Sequence, residues 1–293
     1  MAEKKSSYEK YVEVASRLFR DFVERKIEKF RWIHPFLRQA NMGIMLREYV
    51  CVSFLNALIT PAIALPITYL YIILLGKPFL LALVLSLAVT VVLTTGVFFG
   101  SLYYPQMLAA DRKKNIENNL PFATLYMNTI AGTGAPPFAM FKLLADFKEY
   151  GEVSKEAQKI VEDVEIMGRD IDDALHKAAE QTPSNQFKEM LLGISTTIVG
   201  GGNLRVLLSG KSKLLMNAYR RKIEKYTNEL SIYIELYITL VIVGSIFSTV
   251  MLTIMGSISG FESFRFLQQA LVYIFLPVAG IVMIGLLKIA SPL

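Results

Sequence analysis

The sequence predicts an all-α polytopic membrane protein with four transmembrane helices and a cytoplasmic helical bundle of about six helices. Three observations carry that expectation. The 293-residue chain is 53% hydrophobic and 19% charged, more apolar and less charged than an ordinary soluble domain. Four long stretches are almost free of charge, each near the roughly 20 residues a helix needs to cross a hydrocarbon core. Between the second and third lie about 126 residues that hold seventeen of the 31 basic and sixteen of the 25 acidic residues, with helical periodicity throughout.

Residues 1–48 read as a cytoplasmic amphipathic helix and linker. Tyr11, Ala15, Leu18, Phe22 and then Phe19, Val23, Ile27, Phe30 recur at three- and four-residue spacings, so one face packs on a partner or lies on a membrane surface. No apolar run begins before about residue 49, and neither a signal peptide nor a pilin-type leader is expected. RKIEKF at 25–30 and RKIEKY at 221–226 nearly repeat, but six residues of a charged amphipathic helix repeat easily by chance.

Residues 49–104 form a transmembrane hairpin: 49–75 and 79–104 carry no charge, and Gly76, Lys77 and Pro78 join them. Pro61 and Pro66 fall inside the first run, where each removes one helical hydrogen bond and predicts a bend rather than a break. Residues 231–293 form the second pair, 231–258 with only Glu235 and 270–290 with only Lys288.

Residues 105–230 are a domain rather than a loop. Pro121, the Gly132–Pro137 stretch, Gly151, Gly168, Thr182-Pro183-Ser184 and Gly200-Gly201-Gly202-Asn203 cut it into helix-sized pieces. Asp170 stands where an N-cap would precede IDDALHKAAEQ, with Asp172 and Asp173 in the first turn, where the positive end of the helix dipole favours them. Ser184 is placed to cap the helix that follows Pro183.

Charge gives the orientation. Arg31, Arg38 and Arg47 precede the first span, Arg112, Lys113 and Lys114 follow the second, and Lys211, Lys213, Arg220, Arg221, Lys222 and Lys225 precede the third. Only Lys77 and Arg265 stand on the other side. The positive-inside rule therefore places both termini and the central domain in the cytoplasm of a multi-pass plasma membrane protein. Arg112, Lys113, Lys114, Arg220, Arg221 and Lys222 are candidates for anionic lipid headgroups. These flanks account for most of the net charge of +6, and nucleic acid is not expected as a partner because aromatic residues are not interleaved with the basic clusters in a compact patch.

Catalytic chemistry finds no complete motif. One cysteine, Cys51, and two histidines, His34 and His176, cannot build a four-ligand zinc site from these residue types. LLSGKS at 207–212 ends like a phosphate-binding loop, yet the required earlier glycine falls on Arg205. Asp170-Ile171-Asp172 is explained by helix capping without a metal. GSISG at 256–260 has Ile258 where a hydrolase needs serine. Glu235 sits one turn inside its span, within reach of the interface. The chain is expected to be no enzyme and to need no cofactor or metal. A transporter or channel component with a cytoplasmic regulatory domain is the alternative, weakened because the spans offer mostly Ser, Thr and Asn56.

The central stretch LPFATLYMNTIAGTGAPPFAMFKLLADFKEYGEVSKEA, followed by VEDVEIMGRDIDDALHKAAEQTPSNQFKEMLLGISTTIVGGGNL, resembles the type II secretion F domain of archaeal type IV pilus and archaellum platform proteins. It is also similar to tight-adherence export proteins. The resemblance rests on Pro121 after Leu120, on the small-residue turn with Gly132, Gly134 and Pro136, on Gly168 before Ala174 and Leu175, on Pro183, and on Gly201 and Gly202 before Asn203-Leu204. It implies a non-enzymatic membrane platform on which a cytoplasmic secretion ATPase acts to assemble pilin-like subunits. The single copy of the domain implies pairing with an identical or paralogous platform chain. Residues 146–180 hold eleven acids against five bases, whereas 205–225 hold seven bases against one acid. The acidic group Glu162, Asp163, Glu165, Asp172 and Asp173 is the candidate surface for the ATPase.

Overall fold

The computed structural model describes residues 7–25, 27–76, 78–259 and 261–290, and divides into two compact units, Met1–Ser209 and Gly210–Leu293. Every regular element among the described residues is helical.

In the first unit, α1 (Ser7–Glu24) is followed by a tight 3-10 stretch and the short α2 (His34–Gln39). The apolar face of α1 packs on α3 (Leu46–Leu74), where Ala15 and Val23 are buried against Val50, Cys51, Val52 and Leu55, with Tyr11 and Phe19 beside them. Tyr11 Oη donates to Asn56 Oδ1 at 2.5 Å. The partner foreseen for the amphipathic helix is thus the first span itself. Leu18 points outward, and the side chain of Phe22 lies outside the described residues. Helix α3 continues through Pro61 and Pro66 without a break.

α3 and α4 (Phe79–Gly132) form the expected antiparallel hairpin. Tyr69 stacks edge-on against Phe79 near the connection, Thr68 meets Thr90 at 3.4 Å, and Tyr49 Oη donates to the Ser101 carbonyl at 2.5 Å at the far end. Gly76 makes the turn with φ of 72°. Lys77 lies outside the described residues.

Helix α4 corrects one expectation. Pro121 does not cut the domain: it is buried inside a single 54-residue helix that also passes through Pro105. A proline in a helix interior costs about 3 kcal/mol. Here the same buried face runs through it, with Ile116 and Leu120 before it and Ala123, Thr124 and Met127 after it. Burying that many apolar side chains, at about 1.5–3 kcal/mol each, outweighs the break.

The charged bundle follows as α5 (Pro137–Asp146), α6 (Glu152–Glu165), α7 (Ile171–Gln181), α8 (Asn185–Val199) and α9 (Leu204–Leu236). With the second half of α4 this gives the six helices expected. Phe141 of α5, Ile160 of α6, Leu175 of α7 and Phe187, Met190 and Leu191 of α8 are fully buried. Ser184 caps α8 as foreseen, its Oγ accepting from the Phe187 amide at 3.3 Å. Asp170 has the extended backbone of an N-cap, but its carboxylate makes no capping hydrogen bond.

In the second unit, α9 passes into a wide-turned helical stretch, Tyr237–Val243, and then α10 (Gly244–Ser259). α11 (Phe261–Ala270), a second wide stretch at Leu271–Phe275 and α12 (Leu276–Ala290) complete the chain. The side chain of Arg265, one of the two cations opposing the orientation bias, is outside the described residues. Among the described residues four helical runs are long and apolar enough to cross a membrane: Leu46–Leu74, Phe79–Gly132, Leu204–Ile258 and Phe266–Gly285. Gly210, Lys211 and Ser212 lie within α9, so the incomplete phosphate-loop motif is helix and not loop.

Candidate functional site

The bundle has two ends, and its cross-helix contacts identify which turns share each. Asn115 of α4 accepts from the Glu152 amide at the start of α6, 2.8 Å away. Glu117 of α4 accepts from Ser184 just before α8 at 3.4 Å, and Thr124 meets Met190 Sδ at 3.2 Å. Helices α4, α6 and α8 therefore run parallel, and their C-terminal ends lie together. Lys142 of α5 bonding Glu165 of α6, and Asp172 of α7 bonding Ser195 of α8, show that the intervening helices run the other way. One end thus collects three turns, 133–136, 166–170 and 200–203. Each turns on a glycine with positive φ, Gly134 at 80°, Gly168 at 65° and Gly201 at 64°, a conformation that costs other residues a Cβ clash. Gly151 and Pro183 belong to the opposite end.

Two of the three turns enclose a concavity of about 400 Å³ lined by Ala131, Gly134, Ala135, Gly201, Gly202, Asn203, Leu204 and Arg205. Arg205 crosses from α9 to α4: a Cβ on Gly132 would stand 3.8 Å from its Nε. The third turn raises two exposed apolar residues, Ile166 and Met167, among exposed Glu162, Glu165, Asp170 and Asp173.

The acidic group read from the sequence is only partly a free surface. Asp163 is buried and receives Lys177 Nζ at 2.6 and 2.7 Å, with Arg169 at 4.0 Å. Glu165 holds Lys142 at 2.7 Å, and that hydrogen bond and charge raise the Lys142 pKa. Asp172 accepts from Ser195 Oγ at 2.5 Å. Glu162, at 3.0 Å from Gln158 Nε2, and Asp173 remain exposed.

Ser195, His176 and Asp172 assemble the three side-chain types of a hydrolase, but not its relay. Ser195 Oγ meets both the Asp172 carboxylate and His176 Nε2, the latter at 3.1 Å, and the same Nε2 lies 3.9 Å from Asp172. A relay needs the serine and the carboxylate on opposite ring nitrogens. The cluster clips α7 to α8.

Arg112 is likewise corrected. Rather than facing lipid, its guanidinium is buried, donating to Glu152 at 2.7 Å, to Glu156 and to the Gln39 carbonyl at the end of α2. Burial opposes ionisation of Glu152, but hydrogen bonds from Lys155 and Arg112 outweigh it and hold its pKa below the ordinary value. Lys113 and Lys114 on α4 and Arg220, Arg221 and Lys222 on α9 are not buried.

Residues 123–252 match the family model for the type II secretion system protein F, and the resemblance carried by Gly132 to Gly202 falls inside that match. Pro121 stands two residues before it. Flagella accessory protein J of Methanocaldococcus jannaschii is 25% identical over 197 residues, 67% of this chain and 33% of that protein. An uncharacterized protein of the same organism is 30% identical over 112 residues, 37% of this chain and 32% of its own. Flagella accessory protein J of Methanococcus voltae is 25% identical over 138 residues, 47% of this chain and 25% of its own. The matched segments span a third or less of these relatives' own length. No solved structure matches. Over residues 123–252 the chain is thus similar to type II secretion system protein F, over a wider stretch to the flagella accessory proteins, and its described residues include four helices long and apolar enough to cross a membrane.

Proposed function

We propose that this chain is the membrane platform of a type IV pilus-like machine, pilus, archaellum or secretion pseudopilus, which couples a cytoplasmic secretion ATPase to the assembly of pilin-like subunits. The observation that carries the reading is the F-domain match at 123–252 on a charged helical bundle continuous with membrane-spanning helices. The reading gives the chain no catalytic step of its own. Its bundle, with boundaries near 105 and 230, and both termini face the cytoplasm, where Lys113, Lys114, Arg220, Arg221 and Lys222 meet anionic headgroups. A second platform chain, identical or paralogous, supplies the other F domain.

One contact for the ATPase is the exposed part of the acidic group around the 166–170 turn. Complementary exposed charges mainly speed encounter and weaken with salt. Purified full chain in nanodiscs binds the secretion ATPase of the same cell, and Glu162→Lys, Glu165→Lys and Asp173→Lys together slow association while leaving membrane insertion intact. Deleting the gene removes surface filaments, and restoring it returns them. Unchanged filaments together with no ATPase binding would sink the platform reading. Orientation is tested with Cys51 replaced: cysteines at positions 77 and 265 label from outside intact cells, whereas one at exposed Glu180 does not.

A further inference from the structure

We infer that the cleft between the 133–136 and 200–203 turns is a docking site for an acidic segment of a soluble protein partner, received by Arg205. The inference rests on the platform reading above and adds where, and by what chemistry, the soluble partner is gripped.

The lining chemistry selects an anion. Among the eight residues around the concavity there is one cation, Arg205, one amide, Asn203, and no acid. Arg205 is exposed and, among the described residues, its guanidinium has no hydrogen-bond or ion-pair partner. It also stands in the first turn of the 33-residue α9, where the positive end of the helix dipole disfavours a cation. A guanidinium held without a partner against an unfavourable dipole, and laid across Gly132, is satisfied by an incoming carboxylate, which it can grip with two parallel hydrogen bonds.

Two further observations choose the occupant. Phosphate sites of this kind are built from free turn amides, and here most of the turn amides are occupied. Thr133 and Gly134 donate to the carbonyls of Ile130 and Ala131, Gly200, Gly201 and Gly202 to those of Thr196, Ile198 and Thr197. Arg205 and Val206 donate to Asn203 Oδ1 at 3.0 and 3.4 Å. The one charged group the cleft offers is a planar side-chain fork, and beside it stand the exposed apolar Val199 and Val206, a combination suited to a polypeptide. Lipid is excluded by reach. From Tyr104, where the charge-free run of α4 ends, to Gly132 the helix rises about 42 Å at 1.5 Å per residue.

The test uses the full chain in nanodiscs and the purified secretion ATPase as probe. Arg205→Glu and Arg205→Gln are expected to weaken binding at least tenfold and to flatten its salt dependence. Neither lowers the thermal midpoint of the chain, since Arg205→Glu places a favourable charge at the start of α9; a purely structural arginine would lower it. Arg205→Lys retains much of the binding, and a zero-length carbodiimide then joins the introduced amine to an Asp or Glu of the ATPase, located by mass spectrometry. Wild-type binding with no loss in Arg205→Glu overturns the cleft and leaves the platform reading standing. No binding by wild type overturns both. Arg205-dependent displacement of the ATPase by a few millimolar inorganic phosphate at constant ionic strength overturns the acidic-peptide assignment in favour of a phosphate site.

Discussion

Helix α4 is one uninterrupted helix in two solvents, and its halves obey opposite rules. Before residue 105 it exposes Leu80, Val84, Val91 and Val92 and buries Ala82, Ser86 and Thr90. After residue 108 it exposes Asp111, Lys113 and Lys114 and buries Ile116, Leu120 and Met127. In lipid an apolar side chain gains nothing by turning inward, so small residues that allow close approach take the helix–helix face. In water the apolar side chains must be covered. The difference teaches that secondary structure is indifferent to solvent here, whereas what each face buries is set by it.

The two halves also bury polar groups differently, which yields the largest expected effect. In the membrane half Ser86 Oγ donates to the Leu83 carbonyl of its own helix, 2.9 Å away. In the water half Arg112, 9% exposed as a side chain, holds Glu156, 1% exposed. Arg112→Ala removes the buried guanidinium that joins both carboxylates to α4, leaving Glu152 only Lys155 and buried Glu156 only Lys159, and should cost about 3–5 kcal/mol of stability, whereas Ser86→Ala should cost under about 1 kcal/mol. Unfolding of the full chain in detergent, followed by the fluorescence of Trp32 beside Tyr103, reads both. The pH dependence carries the same signature. The folded pKa of Glu152 lies below that of an unfolded glutamate, so its stabilisation is complete above the unfolded value and is lost as pH falls through the lower folded one. Arg112→Ala should shrink this acid-dependent loss. Equal losses from both substitutions would break the contrast.

Apolar truncation sharpens it further. Leu120 is 0% exposed and Leu80 is 76% exposed on the same helix. Leu120→Ala should cost about 2–5 kcal/mol through lost burial and a cavity, and Leu80→Ala under about 1 kcal/mol because lipid replaces the lost contact. Denaturant titration of the two variants decides it; a Leu80→Ala cost matching that of Leu120→Ala would show that a protein surface covers the membrane half.

The contrast explains what was legible in the sequence. The spans were readable because hydropathy over 20 residues depends on solvent and not on tertiary contacts, and the glycine turns and Ser184 because φ and capping are local. Pro121 misled because a local penalty was weighed without the buried face that crosses it. Arg112 was assigned to lipid because Glu152 and Glu156, spaced to share one face of α6, lie some 40 residues away in the chain. Asp163 and Asp172 read as free charge in the sequence because Lys177 and Ser195, which bind them, lie 14 and 23 residues further along the chain. In the sequence Arg205 stands only as the residue that spoils a phosphate-loop motif. A cation in the first turn of a long helix is the signal available, but its cleft exists only where the 133–136 and 200–203 turns converge.

Helix ends extend the contrast at the smallest scale, because in the water half of the protein terminal amides need a partner or water. Both bundle caps were read from sequence alike, yet they differ in geometry. Ser184 is fully buried and its Oγ accepts from the Phe187 amide, so Ser184→Ala strands a donor and should cost about 1 kcal/mol. Asp170 is exposed and bonds no amide of α7, which leaves it only the interaction of its charge with the helix dipole. Asp170→Ala should therefore cost at most a few tenths of a kcal/mol, and less still in high salt. Chemical denaturation at low and high ionic strength separates the two, since the Ser184 effect is insensitive to salt. A loss at Asp170 of the same size as at Ser184, unchanged by salt, would mean that the carboxylate caps α7 in solution after all.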